Sequence, residues 1–203
     1  MDAVIDRVRL NGLVTWIAFG GRRRLVYRRI VELSGAGPGD LVLDVGCSSG
    51  YLARLLLRAV GRSGAVTGVD PSRAAIGYAR RKSRRHANMS FTVGAAQRLD
   101  FPDGSFDVVT CTLALHHIPE AERADGMAEM FRVLRPGGEL LVADFSEHGA
   151  RRAGRIHRAR RHMHNGHGAS LEEVATAAGF VTHASGDLPM LHYVRAFRPE
   201  RTR

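Results

Sequence analysis

Three groups of side chains in this sequence are typed and spaced to handle a nucleotide-like molecule. The first lies in residues 42–50, Val-Leu-Asp-Val-Gly-Cys-Ser-Ser-Gly, an apolar run that passes through an acid into a glycine-bearing turn. Gly46 and Gly50 lack a Cβ, so bare backbone at these points can come close to a ligand. The Asp44 carboxylate can accept from an amino group or an ordered water. The second is Asp70, followed at once by Pro71. An acid at the tip of a second strand can take both hydroxyls of a ribose. The third is the pair His116-His117, imidazoles suited to general-base work on a hydroxyl or carbon acid.

The spacing around the first turn excludes one nucleotide class. A dinucleotide fingerprint needs Gly-x-Gly-x-x-Gly. Counting from Gly46, the next two glycine positions hold Ser48 and Tyr51. The close pyrophosphate approach therefore lacks its residues, and a tyrosine at the third position obstructs helix-on-strand packing. Nicotinamide and flavin dehydrogenases are disfavoured.

These residues need elements to position them, and the chain reads as an alternation of strands and helices. Strands are expected at Leu41–Val45, Ala65–Val69, Met89–Val93, Phe106–Thr112 and Glu139–Phe145. Helices are expected at Tyr51–Val60, at Ser72–Arg85 with Ser72 as cap, and at Glu120–Leu134, which is stopped by Pro136-Gly137-Gly138. Such βαβ alternation implies a doubly wound, mainly parallel α/β sheet with right-handed crossovers. In that architecture a ligand sits beyond the carboxyl ends of the strands, where strand order reverses. Asp44 and Asp70, one helix and one strand apart, should flank it. A last helix, Leu171–Ala178, and two closing strands, Phe180–Ala184 and Leu191–Phe197, complete the pattern.

The chain has 203 residues, 44% hydrophobic and 25% charged, as expected of one globular domain. It divides into a helical N-terminal cap over 1–36, a cofactor-binding core over 37–145, an insertion over 146–170 and a closing part over 171–203. No apolar run reaches membrane-spanning length and no signal peptide is expected. Cys47 and Cys111 are the only cysteines and read as reduced thiols of a cytoplasmic protein. The formal charge is +10, with Lys82 the single lysine among 30 basic residues. Arginines cluster at 22–29, 80–85 and 151–161. They read as solvated helix faces, or as patches for phosphates, anionic lipid heads or acidic substrates. The apolar run Gly12 to Phe19, with Trp16, reads as an amphipathic packing helix, and its alternative is a peripheral contact with an anionic membrane.

Several segments in order carry a resemblance: Val42–Gly50, Val66–Ser72, Val93–Val109 with its FPDGSFDVV, Leu113–Pro119, and Phe131–Asp144 with its RVLRPGGELLVADF. The chain resembles the class I S-adenosylmethionine-dependent methyltransferases, of the small-molecule type similar to the ubiquinone/menaquinone-biosynthesis methyltransferases. The resemblance covers about 37–145 closely and 170–198 loosely. It implies a Rossmann-like, seven-stranded sheet with the last strand antiparallel, helices on both faces, S-adenosyl-L-methionine as cofactor and a small, lipophilic acceptor. On its terms Asp44, Gly46, Cys47 and Gly50 cradle the methionine part and Asp70 holds the ribose hydroxyls. Pro71 and Ser72 border the adenine, Ala95, Ala96 and Gln97 meet its edge, and Thr112 and Leu113 line the methionine side. His117, or else His116, is the candidate base; the alternative role of both is pocket wall.

The chain departs from that pattern at two places. Ser48 stands where the family usually has Gly, and a serine is expected to avoid positive φ there. Ala95 stands where the family usually has Asp, so a charge-assisted bond to the adenine amino group is missing unless Gln97 or the backbone supplies it. These departures motivate an alternative reading as a non-catalytic, methyltransferase-fold partner subunit; Trp16 and the arginine block after it motivate another, as a peripheral-membrane lipid methyltransferase. The stretch after the fourth strand, Cys111-Thr112-Leu113-Ala114, lacks the acidic-or-Asn Pro-Pro-aromatic motif of base and glutamine N-methyltransferases, and no RNA-reading module is visible, so nucleic acid is disfavoured. His157, His162, His164 and His167 have chelating spacings, but flanking arginines oppose cation binding and no metal is expected. Acceptor identity and oligomeric state are open at this level.

Overall fold

Val42, Leu43 and Val45 are all solvent-inaccessible, and a strand buried on both faces belongs inside a parallel sheet. In the computed structural model, which describes residues 21–146 and 170–200, β1 (Leu41–Val45) is indeed central. The other strands are β2 (Ala65–Asp70), β3 (Met89–Val93), β4 (Phe106–Thr112), β5 (Leu134–Phe145), β6 (Val181–Leu188) and β7 (Leu191–Phe197). They form one seven-stranded sheet in the order β3-β2-β1-β4-β5-β7-β6. β1 to β5 run parallel, and β7 pairs antiparallel with both of its neighbours, β5 and β6. Strand order reverses between β1 and β4, which places the carboxyl ends of β1, β2 and β4 around one crevice.

The two faces of the sheet are covered by different helices. α1 (Arg23–Leu33), α2 (Tyr51–Val60) and α3 (Arg73–Ser83) bury Ile30, Leu56 and Ile76 with Val42, Val66 and Val108 on one side. On the other, α4 (Arg123–Val133) and α5 (Leu171–Ala177) bury Met127, Met130 and Ala175 with Leu43, Val45 and Val109. Adjacent strand residues such as Val42 and Leu43 thus go to opposite cores, as the pleat requires. Each large apolar side chain so buried contributes about 1.5–3 kcal/mol.

Local chemistry sets the ends of these elements. The Ser72 hydroxyl caps α3 by accepting from Ala75 N, and Ser170 with Glu173 forms a capping box on α5. Three boundaries differ from expectation. Glu120–Glu122 is a separate 3₁₀ turn and α4 starts at Arg123. β5 starts at Leu134, ahead of the expected Glu139. Phe106 pairs with Leu134 but Val108 with Glu139, so Pro136-Gly137-Gly138 loops out of register while the strand continues past it. β6 runs on to Leu188 because β7 pairs with it along its whole length.

Much of the arginine surplus is structural. Arg80 donates from Nε and Nη2 to Phe91 O on β3. Arg132 bonds Glu129, Asp103 and the carbonyls of Leu99 and Phe101, and Arg198 donates to the carbonyls of Phe131, Arg132 and Leu134. Trp16, the arginines of 151–161 and the histidines at 157, 162, 164 and 167 lie outside the described residues. Among the described residues no helix is long and apolar enough to cross a membrane. Nor is any group of three or more His, Cys, Asp or Glu among them placed to hold a metal ion.

The join between β1 and α2 is the tightest point of the fold. Gly50 caps α2 at φ +69 with the Phe91 ring against it: an added Cβ would stand 2.7 Å from that ring and 3.2 Å from Ala79 Cβ. Gly50→Ala combines a left-handed backbone penalty with overpacking and is expected to cost about 3 kcal/mol. Urea denaturation of the variant beside the parent measures this.

Candidate active site

The crevice at the strand ends is a cavity of about 750 Å³, and every expected site residue except Gly50 lines it. That volume lies within the ~300–1,000 Å³ usual for small-ligand sites. Both glycines of the turn are packed tightly. A Cβ on Gly46, which has φ +73, would lie 2.2 Å from Ala114 Cβ, and one on Gly50 would strike Phe91. Their bareness makes room for neighbouring chain, and Gly46 also lines the cavity.

The turn after β1 is tied to the tip of β2. Gly46 N and Cys47 N both donate to Val69 O at 2.8 and 3.0 Å. Ser48 N donates to Asp70 Oδ2 at 2.8 Å, and Ser72 N to Asp70 Oδ1 at 2.9 Å. Asp70 therefore clasps two loops and still has lone pairs for two further donors. Ser48 takes φ +48, against the expectation that serine would avoid positive φ. The Asp70 bond holds it there at a conformational cost of about 1–2 kcal/mol. Leu113, just beyond β4, is also left-handed at φ +55, its N donating to Ala143 O. Strained non-glycine residues gather at functional sites, and Ser48 and Leu113 both face this cavity.

Asp44 is 2% exposed. The Thr110 hydroxyl donates to its Oδ1 at 3.1 Å, while Oδ2 has no hydrogen-bond partner among the described residues. A buried carboxylate oxygen without a donor is costly. Burial pushes the carboxyl up to about 7; the Thr110 bond and the nearby Ala53 backbone amide oppose this, and the Asp70 charge adds to it. Thr112 Oγ1 is a second buried, unpaired polar atom on the cavity wall. Both would be satisfied by an amino-acid-like ligand with an ammonium group, and the open lone pairs of Asp70 by vicinal hydroxyls, so the residues present fit S-adenosylmethionine. Cys47 and Cys111 are buried free thiols, and burial pushes both well above the ordinary thiol range; neither is set up as a nucleophile.

The adenine-edge residues Ala95, Ala96 and Gln97 line the cavity. Gln97 donates from Nε2 to Glu122 Oε2 at 2.6 Å, which leaves its Oε1 as an acceptor at this edge. The two histidines part company. His117 is exposed, whereas His116 is half-buried, with Nδ1 2.7 Å from Asp144 Oδ1 and its backbone N donating to Asp144 Oδ2 at 2.9 Å.

Three contributors were not singled out by sequence reasoning. Asp144 read as the tail of a strand, though the acid following the apolar run of β5 was a usable signal. Phe145 lies beside it on the cavity wall. Arg23 stood in an arginine run with nothing to mark it, yet its Cζ sits 4.1 Å from the Tyr51 ring centroid and 5.3 Å from that of Tyr27. The two tyrosines meet edge to face at 5.0 Å, and burial raises the Tyr27 hydroxyl above its ordinary range, with Arg23 acting against that.

A seven-stranded sheet with β7 reversed, an acid near the end of β1 and an acid ending β2 is the Rossmann-like architecture of the class I methyltransferase fold. The comparisons agree: residues 42–138 match the methyltransferase-domain family. The chain is 39% identical over 140 residues to the ubiquinone/menaquinone biosynthesis C-methyltransferase UbiE of Ectopseudomonas mendocina, covering 68% of this chain and 54% of that protein. To its counterpart in Stutzerimonas stutzeri it is 40% identical over 131 residues, covering 63% and 50%. The match thus spans about half the length of these curated relatives. Among solved structures, a SAM-dependent methyltransferase from Aquifex aeolicus superposes with a TM-score of 0.67 at 20% identity, over 85% of this chain and 89% of that one. The N-methyltransferase NodS of Bradyrhizobium japonicum, in complex with S-adenosyl-L-homocysteine, does so with a TM-score of 0.67 at 20% identity, over 89% and 88%. At these identities the two structures speak to the fold.

The raised Asp44 carboxyl has a consequence for stability. Between its ordinary value of 3.8 and about 7, the folded chain keeps a proton that the unfolded chain has released. Stability therefore falls as pH rises through that window. Asp44→Asn keeps an oxygen for the Thr110 hydroxyl and carries no charge to bury. At about pH 8 it is expected to exceed the parent by about 2–4 kcal/mol in urea denaturation, with the gain vanishing near pH 4.

Proposed function

We propose that this chain transfers the methyl group of S-adenosylmethionine to a small, lipophilic acceptor. The observation that carries this reading is the pair of carboxylates flanking one cavity: Asp44, with an unpaired buried oxygen, and Asp70, clasping the turn between them. Asp44 binds the ammonium of the methionine part, beside Gly46 and Cys47, with Thr112 and Leu113 on the same side. Asp70 takes the ribose hydroxyls. Pro71 and Ser72 border the adenine, and Ala95, Ala96 and Gln97 lie along its edge. Gly50 supports this site from beneath through its packing on Phe91.

The cofactor, when bound, supplies a methyl group already activated by a positively charged sulfur. The protein's contribution is alignment and exclusion of water. Tyr27, Tyr51, Leu113, Ile118 and Phe145 give the remaining wall of the cavity an apolar, aromatic character, which supports a lipophilic acceptor. The C-methyltransferase relatives, named for quinone biosynthesis, point the same way.

Calorimetry with S-adenosylmethionine and S-adenosylhomocysteine tests the reading, and no heat from either at millimolar concentration removes it. The proton on Asp44 adds a sharper expectation. An ammonium at Oδ2 favours the ionised carboxyl, so binding between about pH 6 and pH 7 should release a proton and its heat should vary with the ionisation enthalpy of the buffer. That dependence should disappear in Asp44→Asn.

Ala95 supports a second reading, as a non-catalytic partner subunit, since position 95 carries no carboxylate to accept from the adenine amino group. Ala95→Asp separates the two. A gain of about tenfold or more in S-adenosylhomocysteine affinity marks a site weakened in the parent, and no gain marks one in which backbone groups already serve.

A further inference from the structure

We propose that His116, oriented by Asp144, is the catalytic base of this site, and that the acceptor class is an aromatic or enolic hydroxyl. This rests on the methyl-transfer reading above. Asp144 ends the buried part of β5 at 5% exposure. Its Oδ1 lies 2.7 Å from His116 Nδ1 and also accepts from Phe145 N at 2.8 Å; its Oδ2 accepts from His116 N at 2.9 Å. A carboxylate can only accept, so Nδ1 carries the imidazole proton and Nε2 is the basic nitrogen. The backbone bond fixes the residue that the side-chain bond orients. The His116 ring is held further by Phe145, with centroids 5.1 Å apart, and by His117 at 3.9 Å. This is the base-plus-orienting-group arrangement that general-base catalysis needs, on a side chain that lines the cavity. His117 is exposed.

The charged and titratable groups on the walls around His116 identify the acceptor. Asp144 from β5 and His117 from the same turn stand beside it. Across the cavity are Arg23 and Tyr27 from α1 and Asp44 from β1. With Asp44 committed to the cofactor's ammonium and Asp70 to its ribose, the guanidinium of Arg23 is the cation left on the wall among the described residues, and it favours an oxyanion over an ammonium. The aromatic side chains of Tyr27, Tyr51 and Phe145 suit a flat ring.

The step balances as follows in atoms and charge. His116 Nε2 takes the proton of the acceptor hydroxyl, and Asp144 holds the resulting imidazolium. An electron pair of the acceptor oxygen, or of a ring carbon conjugated with it, forms the new bond to the methyl carbon. The methyl–sulfur bond breaks with its electron pair going to sulfur, leaving S-adenosylhomocysteine; a proton displaced from a ring carbon, or that on His116, passes to water.

The test uses 4-nitrophenol, whose anion absorbs visible light and so reports its own ionisation. Bound to the full chain with and without S-adenosylhomocysteine, its pKa should fall by about one unit. The shift should vanish in His116→Ala and shrink in Asp144→Asn, with thermal unfolding and S-adenosylhomocysteine affinity measured on each variant in parallel. If His116→Ala does not fold, His116→Gln takes its place. Loss of the shift in His117→Ala with retention in His116→Ala overturns the assignment. So does a shift untouched by Asp144→Asn. If the chain binds S-adenosylhomocysteine but not 4-nitrophenol at millimolar concentration, the acceptor class is overturned and the methyl-transfer reading stands. A His116-dependent shift without any S-adenosylhomocysteine binding overturns the methyl-transfer reading instead.

Discussion

The structure depends on the clasp between the turn after β1 and the end of β2. Val69 O receives two backbone donors from that turn, and Asp70 receives Ser48 N on one oxygen and Ser72 N on the other. The clasp draws the start of α2 so close to the sheet that Gly50 has the Phe91 ring against it and Gly46 has Ala114 against it. Once the turn is folded down, Asp44 is sealed at the floor of the crevice while Asp70 stays half-exposed at its rim. Both carboxylates owe their character to this one set of bonds: one is desolvated and short of a donor, the other ordered with capacity to spare.

The molecule carries a cost at this crevice. Ser48 and Leu113 sit in left-handed conformations, and Asp44 Oδ2 and Thr112 Oγ1 are buried without hydrogen-bond partners among the described residues. None of these helps the chain fold. They are tolerated because the cores on the two faces of the sheet, with solvent-inaccessible residues such as Ile30, Leu56, Met127 and Leu140, over-determine the backbone around them. Local rules broken together at one place mark a site selected for binding over stability.

The fold was legible because a doubly wound sheet announces itself locally. Apolar runs such as 41–45 and 106–112 lie between amphipathic segments, and Ser72 caps its helix through neighbours in sequence. The boundaries that moved were those set across space: β5 extends back to Leu134 because β4 offers Phe106 as a partner, and β6 extends to Leu188 because β7 does. At the site, Asp44 and Asp70 could be paired from spacing, since one helix and one strand bring successive parallel strand ends together. Arg23 could not, because its place over Tyr51 depends on how α1 lies on α2. The choice between His116 and His117 was equally out of reach, since nothing local says which faces the end of β5.

By itself the sequence determined the strand–helix alternation, the acids at the ends of β1 and β2, and the absence of the dinucleotide glycines, all properties of short segments. Only the tertiary structure decided that Asp44 keeps an unpaired oxygen, that Ser48 is held at positive φ, that the glycines serve packing, and that Asp144 orients His116. Each of these rests on contacts between residues far apart in the chain, as with the 28 positions separating His116 from Asp144. Desolvation and hydrogen-bond satisfaction are set by what surrounds a group in space, which a local pattern of residues does not specify.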